Sequence, residues 1–174
     1  MEKELPVRKH PRLKNYDYSS NGAYFITMCV EGRHEMLGQI VGRDAPGAPF
    51  VELTEYGKII RKEIGDTHLH YKNVIIDKFI VMPNHIHMII LIQNENKINE
   101  NGAPRASRPT SALIPNVIGI LKRKTNKKYG FQMWQDSYHD HIIRDREDYR
   151  IKWQYIDTNP AKWAEDDYFI NESN

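Results

Sequence analysis

The chain has one cysteine, Cys29, so it can form no internal disulfide and build no cysteine-rich metal cluster. A reducing compartment suits such a chain better than an oxidising one. It also lacks any apolar run long enough to span a bilayer, and its opening, MEKELPVRKHPRLKNYD, is too polar for the apolar core of an export signal. The expectation is a cytoplasmic protein with no membrane partner. Charge of one sign is missing as well: 25 Lys plus Arg against 23 Asp plus Glu leave a formal charge of +2. That balance alone announces no nucleic-acid partner. What remains is 174 residues, 40% of them hydrophobic and 10% aromatic, enough for one folded domain over 1–174 with a real core.

The basic charge is local. Arg8, Lys9, Arg12 and Lys14 crowd an N-terminal arm (1–20), and Lys122, Arg123, Lys124, Lys127 and Lys128 cluster without an acid among them, whereas the tail from Asp145 onward is acidic. Such clusters are either phosphate contacts or solvated faces.

Strand-forming residues at Tyr24 to Val30 follow the turn-like Ser19 to Gly22. Arg43 to Pro49, with one Gly and two Pro, reads as a loop, and Thr54 opens a helix running to about Leu69 on the spacing of Leu53, Tyr56, Ile60 and Ile64. Val74 to Met82 and His85 to Ile92 are apolar, β-branched runs broken at Pro83-Asn84, the pattern of a central hairpin. Gln93 to Ser111 is almost devoid of apolar residues and is expected to be a mobile loop (93–111). A helix with Pro115 in its first turn follows, carrying the basic cluster in its last turns, where cations favour the helix dipole. Met133 to Arg144 holds a further strand, and Asp145 caps a last helix over Arg146 to Thr158. The order β, α, β, β, α, β, α predicts an α+β fold: a ferredoxin-like, split βαβ antiparallel sheet with helices on one face, plus a C-terminal helix.

Three His-x-His pairs occur: His68 and His70, His85 and His87, His139 and His141. Residues two apart share one side of a strand but lie about 200° apart on a helix. His68 and His70, at a helix end, are therefore poorly placed to share an ion. His85 and His87 flank Ile86 in an apolar strand, so Ile86 can enter the core while both imidazoles face the other way. They are the best metal pair, or else two satisfied histidines on a sheet face. His139 and His141 enclose Asp140, which offers no apolar anchor; they stand as a runner-up pair or as DNA contacts.

Two imidazoles are too few for a catalytic ion. In the last helix Tyr149, Trp153 and Ile156 form an apolar stripe, and Tyr155 lies about 120° from its centre. Asn159, one turn on, shares the edge of Tyr155, although Pro160 disfavours helical angles at the residue before it. The bland alternative is a half-buried tyrosine and an asparagine that ends a helix. A tyrosine is a poor acid or base at neutral pH, but as a nucleophile on phosphorus it conserves the energy of a cleaved phosphodiester in a covalent aryl phosphate. A divalent cation on neutral ligands would polarise the phosphate, and imidazole with amide oxygen suits Mn or Mg.

His85-Ile86-His87 within VMPNHIHMIILI, then Trp134-Gln135, Ile143-Arg144-Asp145 and Tyr155-Ile156-Asp157-Thr158-Asn159-Pro160, together with PRLKNYDYSSNGAYFIT, resemble the single-tyrosine HUH transposases, in particular the REP-associated tyrosine transposases. The resemblance runs from about Arg8 to Trp163. It implies a bacterial, nucleoid-associated enzyme that cuts single-stranded or hairpin DNA, leaving a 5′-phosphotyrosine and a free 3′-hydroxyl. Tyr155 is then the catalytic nucleophile, and His85, His87 and Asn159 hold the metal. Insertion-sequence members have Gln four residues after the tyrosine, and the Asn159 seen here matches the REP-associated branch. The two basic clusters are expected to grip the phosphates of a palindromic end, giving salt-sensitive binding, with Tyr16 and Tyr18 stacking on unpaired bases. The resemblance leaves monomer and homodimer both open. Two other readings stand beside it: a domesticated, non-catalytic binder of palindromic repeats, and a metal-dependent hydrolase that uses water with His139 and His141.

Overall fold

The computed structural model describes residues 16–42, 47–94 and 112–170. Most of the N-terminal arm and nearly all of the loop expected at 93–111 lie outside the described residues. The elements run β1 (Gly22–Cys29), β2 (Gly38–Val41), β3 (Phe50–Leu53), α1 (Glu55–Gly65), β4 (Val74–Val81), β5 (His85–Ile92), α2 (Leu113–Tyr129), β6 (His139–Ile143) and α3 (Arg146–Thr158). Short 3-10 turns add Glu31–Arg33, Asp66–Leu69 and Asn159–Glu165.

The main sheet has the order β4-β5-β1-β6, and every neighbouring pair is antiparallel. It is the split βαβ arrangement: β5 lies between β4 and β1, so α1 and α2 each cross over a strand on one face. The register follows from period-2 alternation. Tyr24, Ile26 and Met28 of β1 and Ile86, Met88, Ile90 and Ile92 of β5 enter the larger core beneath α1 and α2. Phe25 and Ile89 point the other way, where Ile143 and Ile156 close a smaller core under α3. The face that carries Ile89 also carries His85 and His87.

The ends of the helices follow local rules. Thr54 caps α1, accepting from the Gly57 amide at 3.2 Å, and Asp145 caps α3, accepting from the Asp148 amide at 2.9 Å. Gly130 closes α2 in the left-handed region at φ +84°.

The structure adds one pair of strands to the expected elements and corrects two expectations. The stretch around Arg43 to Pro49 is flanked by a separate two-stranded hairpin, β2 with β3, whose four-residue strands are too short to show a pattern. The strand expected within Met133 to Arg144 is β6, and Trp134 forms an isolated bridge to Val30. Trp153 does not join the apolar stripe of α3: it is 41% exposed, and the Lys78 ammonium sits 3.2 Å from its ring centroid. Tyr18 is buried in the main core and donates to Asp140 Oδ2 at 2.8 Å, so its ring has no open face for a base.

Candidate active site

The site is assembled from β1, β5, α3 and the turn that follows α3. Thr27 and His87 are directly opposite in the β1–β5 ladder, and Thr27 Oγ1 lies 2.8 Å from His87 Nδ1. Asn84 donates through Nδ2 to the carbonyls of Arg33 and Tyr168, which turns its Oδ1 toward His85 Nδ1 at 2.9 Å. His85 therefore carries its proton on Nδ1 and presents a lone pair at Nε2. The two Nε2 atoms of His85 and His87 face each other at 2.9 Å. The Thr27 hydroxyl can donate to or accept from His87, so His87 too can present Nε2 as a ligand.

Both rings are buried and neutral. Burial, helped by the Arg33 charge, pushes His85 down to about 3. Burial and then His85 itself hold His87 well below its ordinary value. Their covers are aromatic: Phe25 stacks on His87 at 5.2 Å between centroids, Tyr155 meets His87 edge-on at 5.1 Å, and Tyr168 lies 4.6 Å from His85.

Asn159 keeps helical angles, φ −57° and ψ −42°, despite the following proline, because the chain continues into the 3-10 turn Asn159–Glu165. Asn159 therefore stays on the edge of α3 that carries Tyr155. Both reach Asp166 Oδ2, the Tyr155 hydroxyl at 3.1 Å and Asn159 Nδ2 at 2.6 Å. Burial first, and then the Asp166 charge, push the Tyr155 phenol above its ordinary value, so it holds its proton.

His85, His87 and Asp166 bring three ligand atoms within 4.8 Å of one another. Asn159 Oδ1 is buried and has no hydrogen-bond partner among the described residues. Two neutral imidazoles, a carboxylate and an unpartnered amide oxygen make a donor set that fits a divalent cation. Asp166 was invisible to the sequence reading. Only the 3-10 turn carries it back over the histidines, and nothing in the pattern after Pro160 marks that turn.

Of the other candidates, His139 borders the site, opposite Thr27 in the sheet and 6.1 Å between ring centroids from Tyr168, and the rest lie outside it. His68 Nδ1 contacts the Gly65 carbonyl oxygen, and His70 faces Lys124. His139 and His141 share an exposed side of β6, with His141 paired to Asp148 at 2.7 Å, while Asp140 between them turns into the core. Lys122 is committed to the carbonyls of Gln135, Asp136 and Ser137, and Lys124 and Lys128 pair with the buried Glu63. Arg123 and Lys127 are exposed. Tyr16 is partly buried, its hydroxyl 3.2 Å from that of Tyr24, and Arg8, Lys9, Arg12 and Lys14 lie outside the described residues.

No protein-family model matches the chain. An uncharacterized protein of Haemophilus influenzae is 31% identical over 94% of this chain and 94% of its own length. A second Haemophilus influenzae protein, named "Putative REP-associated tyrosine transposase", is 25% identical over 86% of this chain and 77% of its own length. In sequence the chain is therefore similar to a REP-associated tyrosine transposase. A solved structure of a REP-associated tyrosine transposase bound to a REP hairpin superposes with a TM-score of 0.59 at 21% identity, covering 87% of this chain and 73% of that one. The REP-associated transposase fold is thus the antiparallel α+β sheet described above. Among the described residues, no helix is long and apolar enough to cross a membrane.

Proposed function

We propose that this protein is a metal-dependent DNA nuclease and strand transferase that cuts single-stranded or hairpin DNA through Tyr155. The observation that carries the reading is the convergence of Tyr155 and Asn159 on one oxygen of Asp166, with that carboxylate within 4.8 Å of the His85 and His87 ligand atoms. Supporting the partner, a REP-associated transposase of the same fold binds a REP hairpin.

In this reading the Tyr155 oxygen attacks phosphorus and passes its proton along the existing hydrogen bond to Asp166 Oδ2. The bond from phosphorus to the 3′ oxygen breaks, and that oxygen takes up a proton to leave as a 3′-hydroxyl. The 5′ side stays linked to Tyr155, so the reverse reaction rejoins strands without an outside energy source. His85, His87, Asn159 and Asp166 would hold the cation, Mn or Mg, which supplies Lewis-acid polarisation of the phosphate. Asn84 and Thr27 fix the ring orientations of the two histidines. Phe25 packs at one edge of Tyr155, 5.9 Å between centroids, and limits where the phenol can swing.

The test is a denaturing gel of the protein with labelled DNA hairpins from the ends of its own gene, with Mn, with Mg and with chelator. A metal-dependent covalent band that disappears in Tyr155→Phe is expected. Binding without a band under either metal would move the protein to the non-catalytic reading, and an adduct surviving in Tyr155→Phe would remove the assignment of the nucleophile.

A further inference from the structure

An open groove of about 920 Å³ lies between the second half of α2 and the segment that follows it. Its lining includes Arg123, Lys127, Phe131, Gln132 and Gln135. Three features give it a chemical character. First, Phe131 is a fixed aromatic platform: Tyr56 and Tyr129 hold its ring at centroid distances of 5.7 and 6.1 Å, yet 40% of the residue stays exposed. The left-handed Gly130 is the turn that sets Phe131 beyond the helix end. Second, within the basic run of α2, Arg123 and Lys127 pair with no carboxylate among the described residues, whereas Lys124 and Lys128 are held by Glu63. One turn apart on α2, these two cations share one side of the helix. Third, the amide of Gln135 can donate to and accept from a base edge, and Gln132, whose Oε1 accepts from Asn126 Nδ2 at 2.6 Å, keeps its Nε2 to donate.

The groove opens at the same end of the sheet as the histidines. The Glu31 amide donates to the Met133 carbonyl at 2.7 Å and the Gln135 amide to the Cys29 carbonyl at 3.0 Å, and Cys29 is the register partner of His85. The 133–135 wall of the groove is therefore two strand spacings from β5 in the plane of the sheet, about 10 Å, while its α2 wall covers the face opposite the histidines.

We propose that this groove binds unpaired DNA that flanks the hairpin stem, with a base stacked on Phe131 and the flanking phosphates on Arg123 and Lys127. An aromatic face accepts any base, and two cations beside it track the backbone. A blunt duplex keeps its bases stacked inside and has none to offer the platform. The proposal deepens the reading of the protein as a DNA-cutting enzyme by assigning where the single-stranded flank of its substrate lies.

The test is fluorescence anisotropy with two labelled hairpins of the same stem, one carrying a poly-dT flank and one blunt. Phe131→Leu and the double variant Arg123→Gln, Lys127→Gln are each expected to weaken binding of the flanked hairpin about 10-fold and leave the blunt hairpin unchanged. The double variant should also flatten the salt dependence for flanked DNA by about 1.4 in log–log slope, the value for two single-strand phosphates. Unchanged affinity for flanked DNA, or an equal loss on both hairpins, would overturn the proposal. Thermal melts of the variants separate loss of binding from loss of folding. The two readings fail separately: flank-dependent binding with no Tyr155 adduct refutes the cleavage reading alone, and an adduct with no flank dependence refutes the groove alone.

Discussion

Tyr155 and Asn159, one turn apart on α3, both direct a hydrogen atom to Oδ2 of Asp166, at 3.1 and 2.6 Å. The Asp166 charge therefore acts on the phenol through a short contact. Burial is the larger cause of the raised Tyr155 pKa and the carboxylate adds to it. Asp166→Asn removes only the second cause, so the Tyr155 pKa is expected to fall while staying above its ordinary value. NMR titration of ring-labelled tyrosine in the presence of chelator, with Tyr155→Phe to assign the signal, measures this. An unmoved or higher pKa contradicts the contact.

The donor set makes a separate expectation about the ion. His87→Ala should weaken Mn binding, followed by titration calorimetry, by more than about 100-fold, because loss of a ligand exceeds the effect of an outer-shell change. Tyr155→Phe should leave it within about threefold, since the phenol is not counted among the ligands. Equal affinities in all three proteins would place the ion elsewhere.

Glu63 links acid stability to the α1–α2 interface. Burial raises its pKa, but hydrogen bonds from Lys128 and Lys124 outweigh burial and leave the value below normal. A carboxyl with a lowered folded-state pKa stabilises the fold above its unfolded-state pKa and loses that contribution as pH falls through the folded-state value. Glu63→Gln should cost about 1–2 kcal/mol at neutral pH and show a flatter decline in urea stability toward acid. A variant that loses stability as steeply as the wild type below pH ~4.5 would show that Glu63 is not the group responsible.

Gly57 tests a close approach of backbone. A Cβ there would lie 2.0 Å from the Leu37 carbonyl oxygen and 3.1 Å from Leu53 Cδ2. Helix propensity alone favours alanine over glycine by about 1 kcal/mol. The clash is with backbone and cannot be relieved by a rotamer, so Gly57→Ala is expected to destabilise by about 2 kcal/mol or more. A stabilised variant would mean that the segment bearing Leu37 can move away from α1.

The sequence was most readable where periodicity and caps agree. β5 occupies the expected His85 to Ile92, and α3 the expected Arg146 to Thr158, because an alternating apolar strand and an Asp-capped amphipathic helix each carry a local signature. The same alternation placed Ile86 in the core and the two imidazoles on the opposite side. β2 and β3 carried no such signature, being four residues each and paired only with one another. Spacing nominated His85 with His87 and Tyr155 with Asn159 as candidates and the resemblance gave them roles, whereas Asp166, Arg33 and Tyr168 meet the histidines only through chain reversals that spacing does not encode. Lys122 to Lys128 form one cluster in sequence, but Glu63, more than fifty residues earlier, takes up two of its charges, a pairing that no local pattern encodes.

The turn at Pro83-Asn84 carries a burden out of proportion to its size. His85 follows it directly, and Met82 and His85 are hydrogen-bonded across it at 2.8 Å. Adding or deleting one residue there would shift β5 by one place against β1, and side chains that now alternate correctly would exchange sides. Isoleucines and methionines would still be buried on either face, so such a chain would keep its hydrophobic content. The imidazoles, however, would be driven beneath α1 and α2, away from Tyr155. Length variation among relatives should therefore be absent from this turn and gather instead in loops remote from it, such as the one joining β2 to β3.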